Sequence, residues 1–159
     1  MPESWRTKLT RWQFNLFPAY RGTGGRVTYI SDDWSEVRLT IPLSWRTRNY
    51  VGSIYGGSLY GAVDPIYMLM LMKRLGPGYV VWDKAANIRF RRPGRERLYA
   101  TCVVPPELVD GIRDELTRVP KLDRGFTIEI VDHAGVVHAV VDKTIHVSRP
   151  AVRPMETGS

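Results

Sequence analysis

Cysteine is almost absent from this 159-residue chain. Cys102 stands alone, which excludes an internal disulfide and a multi-cysteine metal site. It falls in an apparent strand from Leu98 to Val104, so an inert core thiol is expected rather than a nucleophile. Histidine is scarce too. His133, His138 and His146 do not cluster in sequence, surface positions are expected of them, and no metal set emerges. No apolar run approaches the ~20 residues needed to span a bilayer. The longest, Ile66 to Met72, is far shorter, and no cationic-then-apolar segment opens the chain. A cytoplasmic protein without a membrane partner is therefore expected. Internal repeats are also lacking.

What is present is the composition of an ordinary globular domain, 43% hydrophobic and 25% charged. The length suits one core, expected over residues 9–148, with a flexible start at 1–8 and a disordered tail at 149–159. The formal charge of +7 serves solubility or attracts an anionic partner. Five arginines crowd one strand end and turn: Arg89, Arg91, Arg92, Arg95 and Arg97. Nucleic acid would also require a recognition helix or interleaved aromatics, so no nucleic-acid partner is expected. A phosphorylated small molecule fits a short cluster such as Arg91 and Arg92.

Leu9 to Tyr20 carries a rough helical apolar face of Leu9, Trp12, Phe14, Leu16 and Phe17, which predicts a short helix covering the core. Two period-two runs, Arg26–Ile30 and Ser35–Pro42, flank Asp32-Asp33 and predict a hairpin. Tyr79 to Phe90 reads as a long strand with Lys84 in its more apolar row, either snorkelling at a margin or pairing a carboxylate. A second strand to Val104, a short helix from Pro105 to Val119 and a hairpin around Asp132–Gly135 complete the order. Helix, two strands, long helix, two strands, short helix, two strands is an α+β pattern: one antiparallel sheet with a dominant helix to wrap.

That helix, Leu59 to Arg74, follows the glycine-punctuated loop Asn49–Ser58 and is apolar on nearly every side. Its one early charge is Asp64, and a carboxylate inside a wrapped helix is costly unless paired or used. Pro65 either kinks the helix or takes the first position after a separate turn; both put Asp64 at a local break. Met68, Met70 and Met72 read as core filler or as the lining of an acyl tunnel. Covering such a helix fully calls for a curled sheet and a second subunit.

The loop resembles the motif of PaaI-like acyl-CoA thioesterases of the hotdog fold. That motif reads Asn-x-x-Gly-x-x-His-Gly-Gly with an acid seven positions later. Asn49, Gly52, Gly56, Gly57 and Asp64 fall at matching spacing, with Tyr55 in place of the histidine. Tyr79–Ala86 together with Gly56–Tyr60 is similar to a hotdog branch of undefined function, related to the thioesterase-like C-terminal domain of YiiD-type proteins. The resemblance implies a hotdog acyl-CoA thioesterase in which Asp64 is general base or nucleophile and the Gly57 N–H is the oxyanion donor. Asn49 would hold the loop or orient the attacking water. Gly56, Tyr55, Ser58, Lys84, Arg91 and Arg92 would contact the substrate. It implies no cofactor beyond the CoA of the substrate, and a homodimer or a pair of dimers in which the acid and the amide come from opposite subunits. The alternative is a non-catalytic acyl- or CoA-binding hotdog dimer. Read from the residues alone, Asn49 and its glycines could equally form a plain turn, and a Lys84–Asp64 ion pair could keep Asp64 ionised or lock it structurally.

Overall fold

Local signals at the start of the chain are stronger than the expected fraying. In the computed structural model, which describes residues 1–149, helix α1 spans Trp5–Leu16 and begins with a capping box between Ser4 and Thr7. Glu3 ties the segment down further, 2.7 Å from Arg11 Nε, and accepts from the Ile30 amide at 3.3 Å. Residues 1–8 are thus largely built into the fold. The expected tail lies outside the described residues except for Arg149. Phe17 adopts an extended ψ before Pro18, which separates α1 from α2 (Pro18–Thr23).

Strands β1 (Arg26–Ile30) and β2 (Glu36–Ile41) form the predicted hairpin. The central helix follows as α3 (Gly56–Val63) and α4 (Ile66–Leu75), then β3 (Val80–Phe90) and β4 (Leu98–Val103), helix α5 (Pro106–Glu115), and the hairpin β5 (Lys121–Val131) and β6 (Val137–Ser148). All six strands join one antiparallel sheet in the order β1-β2-β4-β5-β6-β3. β1 and β3 are its edges.

The inward rows of the sheet are apolar, as in Val37, Leu39 and Ile41 of β2 and Leu98, Ala100 and Cys102 of β4. They pack with Ala62, Val63, Ile66, Met70 and Leu71 of the central helix in one core. Each fully buried leucine or isoleucine contributes about 1.5–3 kcal/mol of transfer free energy. Cys102 sits in this core, and burial pushes its thiol up to about 12, so it is inert as expected.

The helix is kinked at Pro65, not interrupted by a loop: Asp64 and Pro65 both keep right-handed helical dihedrals. The other side of the helix is covered in part by α2. Tyr20 donates to the Ala62 carbonyl at 3.0 Å, and a Cβ at Gly61 would meet Thr23 Cγ2 at 2.9 Å, so a larger residue there would push that side chain aside. The chain itself thus provides some of the cover assigned to a second subunit.

Strand β3 contains a bulge at Lys84, where the register with β6 shifts between Asp83 and Ala85. Asp83 pairs with inward Ile145, and Ala86 with inward Lys143. Lys84 keeps the outward phase of Val80 and Trp82, and the bulge turns the rest of that row, Ala86, Ile88 and Phe90, to the opposite face.

Candidate active site

Asp64 stands where Pro65 breaks the helical ladder, and its side chain is 40% exposed. Lys143 of β6 reaches it from beneath the helix with a side chain that is completely buried. The ammonium donates to Asp64 Oδ1 at 2.8 Å and also to the Asp64 backbone carbonyl. Tyr60, one turn earlier, donates to the same Oδ1 at 2.6 Å. Among the described residues no donor engages Oδ2. Asp83 Oδ1 lies 2.8 Å from the same ammonium but off its hydrogen-bonding directions, so that contact is Coulombic.

A buried ammonium costs several kcal/mol if unpaired, and here two carboxylates compensate it. Burial raises the Tyr60 phenol well above its ordinary value, helped by its hydrogen bond to Asp64 and the charges of Asp64 and Asp83. Tyr60 therefore remains a donor, and one oxygen of Asp64 is pinned while the other is free.

Asp64 opens into a cleft of about 370 Å³. Gly61, Pro65, Met68 and Leu69 form one wall, and Phe14, Phe17, Ala19, Tyr20 and Thr23 the other. Met70 is core filler as expected, while Met68 lines this cleft and Met72 is exposed.

A second cleft of about 350 Å³ lies at the start of α3. It brings together Asn49, Gly56, Arg91 and Arg92 with Ser53, Ile54, Leu59, Phe90, Pro93 and Gly94. No side chain caps this helix start. Such a start presents unsatisfied amides and partial positive charge. A Cβ at Gly56 would lie 2.8 Å from the Phe90 ring, which explains glycine there.

Asn49 Oδ1 accepts from the amides of Val51 and Ser53 at 3.1 and 3.0 Å, and its Nδ2 donates to Ser53 Oγ at 2.9 Å. It holds the loop, the first of the two roles expected of it. Tyr55 is exposed and its ring covers Gly57, where a Cβ would meet it at 2.3 Å. Ser58 is buried and lines neither cleft.

Of the alternatives open to Lys84 the structure shows a carboxylate partner, but that partner is not Asp64. Its ammonium pairs with Asp123 at 2.6 Å on the outer face, the face it shares with Val80 and Trp82. It still borders a cleft of about 410 Å³ with Tyr60, Asp83, Ala85, Ala86 and Ile88. The histidine expectation also needs correction at one position. His138 is buried, its ring between the Pro93 carbonyl and Asp132, while its own carbonyl accepts from the amides of Arg91 and Arg92.

Asp64 and Gly57 stand at opposite ends of α3, roughly 10 Å apart along a helix rising 1.5 Å per residue. One chain does not bring them to a common carbonyl. The residues missed by sequence reasoning are Lys143 and Tyr60. The signal for Lys143 was visible: it is the one charge in an inward row that otherwise reads Ala139, Val141, Ile145, Val147.

Residues 6–147 match a family described as Domain of unknown function (DUF4442). The chain belongs to that family. A Pseudomonas aeruginosa protein of unknown function, called a probable thioesterase, superposes with a TM-score of 0.81 at 20% identity, covering 94% of this chain and 99% of its own. A Haemophilus influenzae thioesterase gives 0.65 at 18% identity, covering 86% and 87%. The E. coli PaaI protein from the phenylacetic acid degradation operon gives 0.62 at 18% identity, covering 92% and 93%. No curated protein matches significantly. These likenesses establish the fold: this family member is a hotdog, an antiparallel sheet curled around the kinked helix α3–α4. Among the described residues no helix is long and apolar enough to cross a membrane.

Proposed function

We propose that the protein hydrolyses the thioester of an acyl-CoA, with Asp64 as general base or nucleophile. The observation that carries this reading is the asymmetry of its carboxylate: Oδ1 is held by Lys143 and Tyr60, and Oδ2 is free beside an apolar cleft. As base, Asp64 takes a proton from water, whose oxygen attacks the thioester carbonyl. The oxyanion accepts from the Gly57 N–H, the carbon–sulfur bond breaks, and the CoA thiolate takes the proton back. Asn49 positions the loop. Arg91 and Arg92 supply charge for the CoA phosphates at the cleft that Gly56 lines, with Tyr55 and Ser58 shaping the helix start. Lys84, at the third cleft, is retained as a substrate contact only. No further cofactor is needed for this step.

A second copy completes the site. β3 is an uncovered edge strand of 11 residues. Phe90, at one end, covers Gly56, and Asp83, near the other, approaches Lys143 and through it Asp64. Antiparallel pairing of β3 with itself about a two-fold axis sets each Phe90 end beside the other copy's Asp83 end. The Gly56–Gly57 amides then face the partner's Asp64. This makes a homodimer the functional unit, and two such dimers the larger assembly. The strand and loop motifs support placement near the YiiD-related branch.

The test is thiol release from a panel of acyl-CoAs. Asp64→Asn is expected to lower kcat by about 10²–10⁴-fold, the usual contribution of a positioned base, with the fold retained. The second reading, a non-catalytic acyl- or CoA-binding dimer, is favoured by Lys143 gripping both the carboxylate and the carbonyl at the helix break. It prevails if wild type releases no CoA yet is thermally stabilised by it.

A further inference from the structure

Helix α1 carries its apolar stripe on the wrong side for a core helix. Trp5, Leu9, Trp12 and Leu16 recur at spacings of four, three and four, one face of a 3.6-residue period. They point outward: Trp5 is 70% exposed, Trp12 64%, and Leu9 and Leu16 about half. The inward side is made by buried Thr7 and by Phe14, whose ring lies 4.3 Å from that of Tyr20. Phe17, also exposed, continues the stripe at the C-terminal end. The sequence expectation that this apolar face covers the core thus holds for Phe14 alone.

The surroundings of the stripe are cationic. Between Glu3 and Asp32 the chain has Arg6, Lys8, Arg11, Arg21 and Arg26 and no acidic residue. A cleft of about 420 Å³ opens beside Trp12 and Leu16 and is lined by Arg11, Arg21, Arg26 and Arg46. Arg11 is paired with Glu3, but among the described residues no carboxylate pairs Arg21, Arg26 or Arg46. Trp45 extends the same segment as Arg46 and is exposed.

We infer that this face docks on an anionic phospholipid surface, with α1 lying in the interfacial plane and the arginine cleft facing lipid phosphates. Tryptophan and leucine on one side of a short helix, with arginine and lysine at the flanks, suit the boundary between headgroups and acyl chains. The cations follow the negative surface potential of such a leaflet. The occupant is set by charge: an uncharged apolar partner would leave three unpaired guanidinium groups against it. A second copy of the chain would bring like charges together. α1 packs on β1, at the edge of the sheet opposite β3, so the face stays open when β3 pairs with a partner. Among the described residues no helix is long and apolar enough to cross a bilayer, and lying on its surface needs none.

The test is sedimentation of the full chain with vesicles of equal parts phosphatidylcholine and phosphatidylglycerol, and with phosphatidylcholine alone. Wild type is expected to sediment with the anionic vesicles and at least about tenfold less with neutral ones. Trp5→Ser with Trp12→Ser, and separately Arg21→Gln with Arg26→Gln and Arg46→Gln, should each abolish sedimentation while the circular dichroism spectrum is kept. Should a variant fail to fold, brominated anionic lipids answer with wild type alone, quenching tryptophan fluorescence only if the indoles insert. The inference is overturned if wild type stays in the supernatant, if neutral vesicles bind it as well, or if brominated lipids leave fluorescence unchanged. It is also overturned if the tryptophan variant lowers the solution mass, since another copy would then cover the stripe.

Discussion

Two lysines a few ångströms of strand apart meet aspartates on opposite faces of the sheet. Lys143 points inward from β6, is fully buried, and is held between Asp64 and Asp83 with a third contact to a main-chain carbonyl. Lys84 points outward from the bulge of β3, is half exposed, and shares Asp123 with His146. Their distances to carboxylate oxygen are nearly equal, 2.8 and 2.6 Å. Their consequences are not. Water screens the outer pair and offers Lys84 an alternative partner at little cost. The inner ammonium has no such alternative, so its neighbours are fixed by it, and one of them is the carboxylate assigned to the chemistry.

The sharpest way to break the comparison is Lys143→Met. Removing the cation leaves two carboxylates and a main-chain carbonyl without their partner, and a loss of about 3 kcal/mol in denaturant unfolding is expected. Adding Asp83→Leu to that variant should return part of the loss, because a well-packed apolar group replaces an uncompensated charge. If Lys143→Met costs no more than Lys84→Ala, the contrast between the faces is wrong.

A smaller effect concerns acid. Burial pushes the Asp33 carboxyl up, but hydrogen bonds from Ser35 and Ser31 and the charge of Arg74 outweigh it and hold the group at about 2. A carboxyl lowered from 3.8 in this way contributes stability that is complete above its unfolded value and disappears as pH falls towards about 2. Asp33→Asn should therefore lower the melting temperature at neutral pH and flatten its fall between about pH 4 and 2, read by thermal scans across that range. Asp123 is also lowered, first by its hydrogen bond from Lys84 and then by that from His146, but on the open outer face. The smallest expected change is Lys84→Ala, a slight loss that fades with added salt, measured by the same unfolding method.

Much of the scaffold was readable from residue patterns. The period-two runs gave the hairpin of β1 and β2, and the apolar run after the glycine loop gave the central helix, which begins at Gly56 rather than Leu59. The proline after Asp64 marked the break, because a missing amide is a property of that residue wherever it lies. The site was readable only in part. Asn49, Gly56, Arg91 and Arg92 do share a cleft, yet the lysine on Asp64 was sought nearby in the chain and is found 79 residues away. Simple alternation puts Lys84 in one row with Ala86 and Ile88 because it assumes an unbroken pleat, and one extra residue in β3 reverses the faces beyond it.

The sequence by itself determined where the backbone turns, caps, kinks and alternates, since those choices are made within a few residues by sterics and local hydrogen bonds. It also determined that α1 has one apolar stripe. Only the tertiary structure decided that the stripe faces outward, that Lys143 meets Asp64, and that Gly57 and Asp64 lie too far apart in one chain to share a carbonyl. Periodicity fixes which residues lie on one face of an element. Which neighbour that face meets is settled by the packing of elements distant along the chain.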